Sequence, residues 1–207
     1  MTNPQLAQLT DQCRVSAGLE NPELSLLSDE FLDSIEDRDR PHLQVGMLKK
    51  ILEGEVKTLH RTNVIQSRKF SEMLDDSINK YTNRSLTTAE VIAELVRLAK
   101  EMRDNSKRAD ELGMNEAEIA FYDAIIQNDA AVLELGDKKL QKISKDLVKQ
   151  VRRSATIDWN VKESARAQMR TKVRRLLAVN GYPPDLEEQA VDLVLEQAEL
   201  FATGAIS

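Results

Sequence analysis

One segment of this chain has essentially a single way to fold. Between Asp137 and Ser154, apolar residues recur every three or four positions, at Leu140, Ile143, Leu147 and Val151. An α-helix turns about 100° per residue, so these side chains share one narrow face. Almost opposite that face fall Lys138, Lys142, Lys145, Lys149 and Arg152. The segment is therefore predicted to be an amphipathic helix with one apolar and one basic face.

Helical spacing of this kind recurs along most of the chain, together with signals that start helices. Thr87 with Glu90, and Asn115 with Glu118, have the spacing of a capping box, in which each side chain satisfies a free backbone N–H of the other residue. The chain contains only 7 Gly and 5 Pro. The pattern predicts an all-α protein, an irregular bundle of about seven or eight helices.

The limits of the predicted domain follow from where the helical spacing begins and ends. Residues 1–22 are predicted to be a flexible lead-in, residues 23–202 a helical domain, and residues 203–207 a frayed tail. A sub-boundary is possible near 83–87. Between His42 and about Tyr81, the spacing fits one very long helix or two helices with a break near Arg61–Asn63.

Two further helices are predicted near the C-terminus, each with a core face. The first is expected to bury Ala165, Met169, Val173 and Leu176. The second, which follows Pro183 and Pro184, is expected to bury Val191, Val194, Leu195 and Ala198, and to expose Glu187, Glu196 and Glu199.

Charge is unevenly distributed along the chain. The formal net charge is -6, yet Lys138 to Arg175 contains thirteen Lys and Arg residues against three acidic residues. The segment from Leu176 to Ser207 contains six acidic residues and no Lys or Arg. Crowded like charges repel each other. The basic block therefore indicates a polyanion, an acidic protein surface or the chain's own acidic helix as its partner.

The candidate contact residues are the basic side chains of the two helices in this block. They are Lys138, Lys142, Lys145, Lys149, Arg152, Arg153, Lys162, Arg166, Arg170, Arg174 and Arg175. The alternative interpretation is a solvated surface balanced by the last helix, through Asp185, Glu187, Glu188, Asp192, Glu196 and Glu199. Exposed ion pairs contribute only about 0 to 1 kcal/mol each, so stability alone does not explain the arrangement.

Catalytic and metal-binding patterns are missing from the sequence. His42 and His60 have no second ligand at metal-binding spacing, and Asp75 and Asp76 diverge by about 100° on a helix. Neither a phosphate-binding glycine loop nor a Gly-x-Ser-x-Gly motif occurs. No catalytic, cofactor-binding or metal-binding residue is predicted, and the chain by itself is not expected to be an enzyme.

Cysteine use and hydropathy indicate a cytoplasmic protein. Cys13 is the only cysteine, so no internal disulfide is possible, which fits a reducing compartment. No stretch approaches the roughly 20 apolar residues of a membrane span, and the N-terminus lacks the pattern of a signal peptide. We therefore expect no membrane partner.

Several runs resemble the C-terminal region of the restriction (R) subunit of type I restriction-modification enzymes. In chain order they are Asn63–Leu74, Tyr81–Arg84, Glu90–Leu95, Ala120–Ala124, Thr156–Trp159 and Gly181–Pro184. The resemblance implies a helical region of a large ATP-driven DNA translocase and endonuclease. It also implies that ATP and Mg²⁺ are used by the motor and nuclease domains, and that this region has no cofactor of its own.

Two functional hypotheses remain open at this point. The resemblance implies a domain that docks the motor subunit onto the methyltransferase core, which is made of modification and specificity subunits. The basic stripes suggest instead an auxiliary module that binds duplex DNA through residues 138–175. DNA binding of that kind would weaken steeply with salt, because each neutralised phosphate releases counterions.

Overall fold

The computed structural model describes Leu32 and residues 41–154, 163–184 and 187–202. All regular structure in these ranges is helical, which confirms the all-α prediction. The helices are α1 (Pro41–Leu59), α2 (Val64–Thr82), α3 (Thr88–Glu111), α4 (Glu116–Ile125), α5 (Asp129–Leu135), α6 (Asp137–Ser154), α7 (Glu163–Val179) and α8 (Glu187–Ala202).

The chain divides into two compact units. The first lies within residues 1–53 and 73–105, and the second within residues 54–72 and 106–207. In the first unit, the fully buried side chains of the described residues include Leu48, Leu52 and Leu95. The predicted lead-in (1–22), the segment around Trp159 and the tail (203–207) lie outside the described residues, and the predicted domain limits remain predictions.

A break near Arg61–Asn63, one of the two alternatives that the sequence left open, is present, and Asn63 starts the helix that follows it. α1 ends at Leu59 and α2 begins at Val64. The Asn63 Oδ1 atom accepts a hydrogen bond of 3.0 Å from the backbone N–H of Gln66. A side-chain oxygen in this position replaces the intrahelical partner that the first turn lacks. The sequence alternative with two helices is therefore the correct one.

Both predicted capping boxes are confirmed. Thr87 donates its backbone N–H to the Glu90 carboxylate at 2.7 Å, and the Thr87 hydroxyl accepts from the Glu90 N–H at 3.3 Å. The hydrogen bonds from Thr87 lower the pKa of Glu90, because they stabilise the charged carboxylate. Asn115 and Glu118 form the same reciprocal pair at the start of α4.

Glycines with a positive φ follow three of the described helices, α3, α5 and α7. Gly113 follows α3 with φ 60°, and Gly181 follows α7 with φ 72°. Each stands at a left-handed position, where a Cβ atom would be strained. After Gly181, the Tyr182 N–H donates to the Leu177 carbonyl at 3.0 Å, which satisfies one of the last free carbonyls of α7.

The core of the second unit forms mainly between α4, α6, α7 and α8. The predicted seam of α6 is completely buried, with Leu140, Ile143, Leu147 and Val151 all at 0% exposure. Met169 and Val173 of α7 are buried as predicted. Leu177, which the sequence analysis did not select, is also fully buried, whereas Leu176 is only partly buried. The predicted core face of α8, Val191, Val194, Leu195 and Ala198, is confirmed.

Among the described helices, none combines the length and the apolar character that a membrane crossing requires.

Candidate interaction surface

The basic face of α6 points away from the core of the second unit. Lys138, Lys142, Lys149, Arg152 and Arg153 are exposed. Lys145 is partly buried, and its Nζ atom lies 3.5 Å from the Gly113 carbonyl oxygen. The helix therefore has the two opposite faces that its sequence predicts.

The arginines of α7 face a different environment, because the acidic residues of α8 lie against them. Arg166 pairs with Glu199 at 2.7 Å. Arg170 bridges two carboxylates, Glu188 at 2.7 Å and Asp192 at 2.5 Å. Arg174 also donates to Glu188. The stripe that recurs every four residues on α7 is thus neutralised within the chain.

The other candidate residues have separate surroundings. Lys149 lies 3.4 Å from Asp146, one turn earlier on its own helix. The Arg152 guanidinium lies 5.4 Å from the centre of the Phe201 ring, a cation–π distance. Arg175 is exposed, and Lys162 lies outside the described residues.

Three acidic residues of α8, Glu187, Glu196 and Glu199, were expected to be exposed, but all three are partly buried. Glu196 pairs with Arg68 of α2 at 2.5 Å, and 41% of its side chain is accessible. Glu199 is 33% accessible in its pair with Arg166. Both side chains lie at the edge of the packed core, because they flank the buried Gln197 and Ala198.

A buried carboxylate in α4 was missed by the sequence analysis. Asp123 is 0% exposed, and it accepts hydrogen bonds from Arg108 Nη2 at 2.9 Å and from Asn63 Nδ2 at 2.8 Å. Burial of a charge is costly unless the charge is paired and hydrogen-bonded, and here both conditions hold. The signal in the sequence was an acidic residue inside the apolar run Ala120–Ile126.

A second missed residue, Gln197, connects α8 to the turn between α1 and α2. Its Nε2 atom donates to the Thr62 carbonyl at 2.8 Å, and its Oε1 atom accepts from the Val64 N–H at 3.1 Å. Gln197 is fully buried among the apolar residues of α8. A glutamine on a predicted core face is the pattern that could have revealed it.

Enzyme-like features are sparse in the described part of the chain. No group of three or more His, Cys, Asp and Glu side chains there could hold a metal ion. A cavity of about 90 Å³ in the first unit is lined by residues that include Asp76, Lys80 and Glu94. Pockets for small ligands are usually about 300 to 1,000 Å³, so this cavity is smaller than such a pocket.

Of the two histidines singled out in the sequence, His42 has a side-chain partner. Its Nδ1 atom donates to or accepts from the Tyr81 hydroxyl at 2.7 Å, depending on the tautomer of the ring.

Two protein relatives match most of this chain. It is 37% identical over 181 residues to the type I restriction enzyme HindI endonuclease subunit of Haemophilus influenzae, a match that covers 87% of this chain and 17% of the relative. It is 39% identical over 166 residues to a protein of Methanocaldococcus jannaschii with the provisional name type I restriction enzyme MjaIXP endonuclease subunit. That match covers 78% of this chain and 16% of the relative. No solved structure matches the chain.

The chain thus spans about a sixth of the length of these relatives. The model of a protein family described as type I restriction enzyme HindI endonuclease subunit-like, C-terminal, matches residues 13–204. This range contains every described helix. The chain belongs to this family of C-terminal regions of type I restriction enzyme endonuclease subunits.

Proposed function

We propose that this chain is a non-catalytic assembly domain, which docks a type I restriction endonuclease subunit onto its methyltransferase core of modification and specificity subunits. The observation that carries the proposal is the family match to a C-terminal region of an endonuclease subunit. A subunit of that kind works beside other subunits, so it needs a surface that holds it to them.

The chemistry of the described residues supports a role in assembly. Among the described residues, the one carboxylate that is completely buried is Asp123, which Arg108 and Asn63 hold in the interior of the second unit. Metal-binding groups of three or more ligands do not occur among the described residues. We propose that ATP and Mg²⁺ act in other parts of the parent subunit. We also propose that the whole complex works in the cytoplasm, which the similarity to restriction enzyme subunits supports.

The packed core of the second unit also supports docking. Its apolar core includes residues of α4, α6, α7 and α8, and polar side chains link elements that are far apart in sequence. Gln197, for example, contacts Thr62 and Val64 across more than 130 residues. A surface that is ordered before it meets a partner loses less conformational entropy on binding.

Size-exclusion chromatography with light scattering tests the proposal. The chain is mixed with the modification and specificity subunits of the same organism, without DNA and at moderate salt. We expect a complex of defined mass and fixed stoichiometry. Separate elution of a folded chain and an intact methyltransferase core, at concentrations well above micromolar, would exclude autonomous docking.

Two exposed leucines make it possible to locate the contact. Leu43 in the first unit is 67% exposed, and Leu133 in the second is 86% exposed. Leu43→Asp and Leu133→Asp each place a charge on one unit without disturbing a core. Because charged groups are disfavoured in the centre of protein interfaces, the variant that weakens the complex identifies the unit that carries the contact. The other variant is its matched control.

A further inference from the structure

The two basic helices of this chain differ in what neutralises them. On α7, Arg166, Arg170 and Arg174 are paired with carboxylates of α8. On α6, Lys138, Lys142 and Arg153 are exposed and form no ion pair with another described residue. The basic block therefore forms two surfaces. The closed stripe is the row of arginines on α7 that carboxylates of α8 neutralise, and the open stripe is the basic face of α6, which α8 does not neutralise.

The two acidic residues of α6 itself, Asp137 and Asp146, are already engaged. Asp146 lies 3.4 Å from Lys149 and offsets one charge of the stripe. Asp137, at the start of the helix, accepts hydrogen bonds from the Tyr122 hydroxyl and from Gln141 Nε2. In the second half of the helix, Lys149, Arg152 and Arg153 face no other described carboxylate within ion-pair distance. The face thus keeps a net positive charge.

The type of cation indicates which partner the open face fits. The closed stripe consists of arginines, whose planar guanidinium groups match the geometry of carboxylates. The open stripe consists mainly of lysines, which are depleted in protein–protein interfaces. A lysine is a flexible point charge that suits phosphate groups at variable positions.

The length of the stripe fits a nucleic acid strand. From Lys138 to Arg153 the helix axis rises by about 22 Å, at 1.5 Å per residue. One strand of duplex DNA carries about six phosphates over that axial rise, at one per 3.4 Å, and because the strand winds around the axis, a straight helix face can contact about four of them. The stripe carries six basic side chains, Lys138, Lys142, Lys145, Lys149, Arg152 and Arg153.

We propose that the basic face of α6 contacts the phosphate backbone of duplex DNA, without reading its sequence. The contact is independent of docking and uses a surface of its own. Stacking on bases requires a free aromatic ring, and the nearby Phe201 ring is covered by Arg152 and packs against Phe121. The flexible lysines of the face suit phosphate groups at variable positions, which are the same for every sequence. Arg166, Arg170 and Arg174 do not take part, since α8 already neutralises them.

The test is fluorescence anisotropy of a labelled 20-base-pair duplex, titrated with the chain from low to moderate salt. If about four phosphates are contacted, the logarithm of the binding constant should fall with the logarithm of salt concentration with a slope near -3.6. The variant Lys138→Gln, Lys142→Gln and Lys149→Gln should lower the affinity at least tenfold at low salt. It should also reduce the magnitude of the slope by about 2 to 3.

A matched control removes three charges elsewhere. Lys50, Lys57 and Arg61 are exposed, and Lys50→Gln, Lys57→Gln and Arg61→Gln changes the net charge by the same amount. This control should retain the wild-type slope. A second duplex of unrelated sequence should bind equally well, and circular dichroism should show the same helix content for all three proteins.

Three results would overturn the proposal. The wild-type chain could fail to bind DNA even at low salt, the α6 variant could bind with unchanged affinity and slope, or the control could lose as much affinity as the α6 variant. A variant that binds DNA normally but no longer binds the methyltransferase core would assign the α6 face to protein contact instead. Loss of DNA binding with docking intact supports the proposal even if docking uses other surfaces.

Discussion

The Asn63 side chain donates a hydrogen bond of 2.8 Å to the buried carboxylate of Asp123, 60 positions later in the chain. The same asparagine caps α2 with its Oδ1 atom. One residue therefore starts a helix with one side-chain atom and holds a buried charge with the other. This contact joins α2 to α4 in the second unit, and the stability of that unit should depend on it.

Removal of the buried carboxylate should be costly. Asp123→Ala leaves the Asn63 amide without its acceptor and the Arg108 guanidinium without its 2.9 Å partner. We expect a loss of about 3 kcal/mol in the free energy of unfolding, measured by urea denaturation, because breaking a buried pair leaves polar groups unsatisfied. Asp110→Ala, at an exposed position of α3, should change it by less than about 0.5 kcal/mol. Similar losses in the two variants would contradict this role.

Gln197 should stabilise the turn between α1 and α2 through hydrogen bonds and not through its volume. Gln197→Leu keeps a side chain of similar size but removes the partners of Thr62 and Val64. We expect a loss of about 1 to 3 kcal/mol, since Val64 is buried and its N–H would be left unsatisfied. Gln189→Leu, at an exposed position of the same helix, is the control. A stabilising effect of Gln197→Leu would show that the hydrogen bonds are dispensable.

Charge reversal on α7 should destabilise the chain in a salt-dependent way. Arg170→Glu places a carboxylate beside Glu188 and Asp192, which now accept from the arginine. We expect a loss of about 1 to 2 kcal/mol at low salt that shrinks at high salt, because exposed charges are screened. Arg175→Glu, on the same helix, should have a smaller effect. Equal effects of the two reversals, or no salt dependence, would argue against neutralisation of α7 by α8.

The buried hydroxyl of Tyr182 predicts a loss of stability at alkaline pH. It donates to the Ile125 carbonyl at 2.7 Å, and burial raises the pKa of Tyr182 to about 12 from a usual value near 10. The pKa is higher in the folded state, so the stabilisation is fully present below pH 10 and is lost as pH rises toward 12.

Urea denaturation at several pH values measures this effect. Tyr182→Phe should lose about 1 kcal/mol at neutral pH, because the Ile125 carbonyl loses its donor. The difference between wild type and variant should then shrink between pH 10 and 12. A difference that stays constant over this window would show that Tyr182 does not titrate as its environment indicates.

Periodic apolar residues and caps predicted most of the helices from the sequence, although they left open whether residues 42–81 form one helix or two. The seam of α6 and the capping boxes at Thr87 and Asn115 depend on neighbours within one or two turns, so local spacing defines them. Leu176 of α7 packs against the core as predicted but is only partly buried, whereas the fully buried Leu177 was missed. The two positions differ by about 100°, and the sequence pattern does not show which one points deeper into the core.

Contacts between distant parts of the chain could not be predicted in the same way. Gln197 and Val64, or Asn63 and Asp123, are far apart in sequence, and only the packed unit brings them together. The division of the basic block is of the same kind. The sequence left open whether α8 neutralises the basic stripes, whereas the structure shows that it pairs with α7 and leaves α6 exposed.

Competition with the complete endonuclease subunit tests the central proposal most directly. The full-length subunit and its methyltransferase core are assembled at limiting concentration on DNA with a target site, and this chain is added in increasing excess. If the chain is the docking domain, it should occupy the core and inhibit ATP-dependent cleavage in a saturable way, and more core should relieve the inhibition. Full cleavage activity at a large excess of folded chain would contradict the docking function.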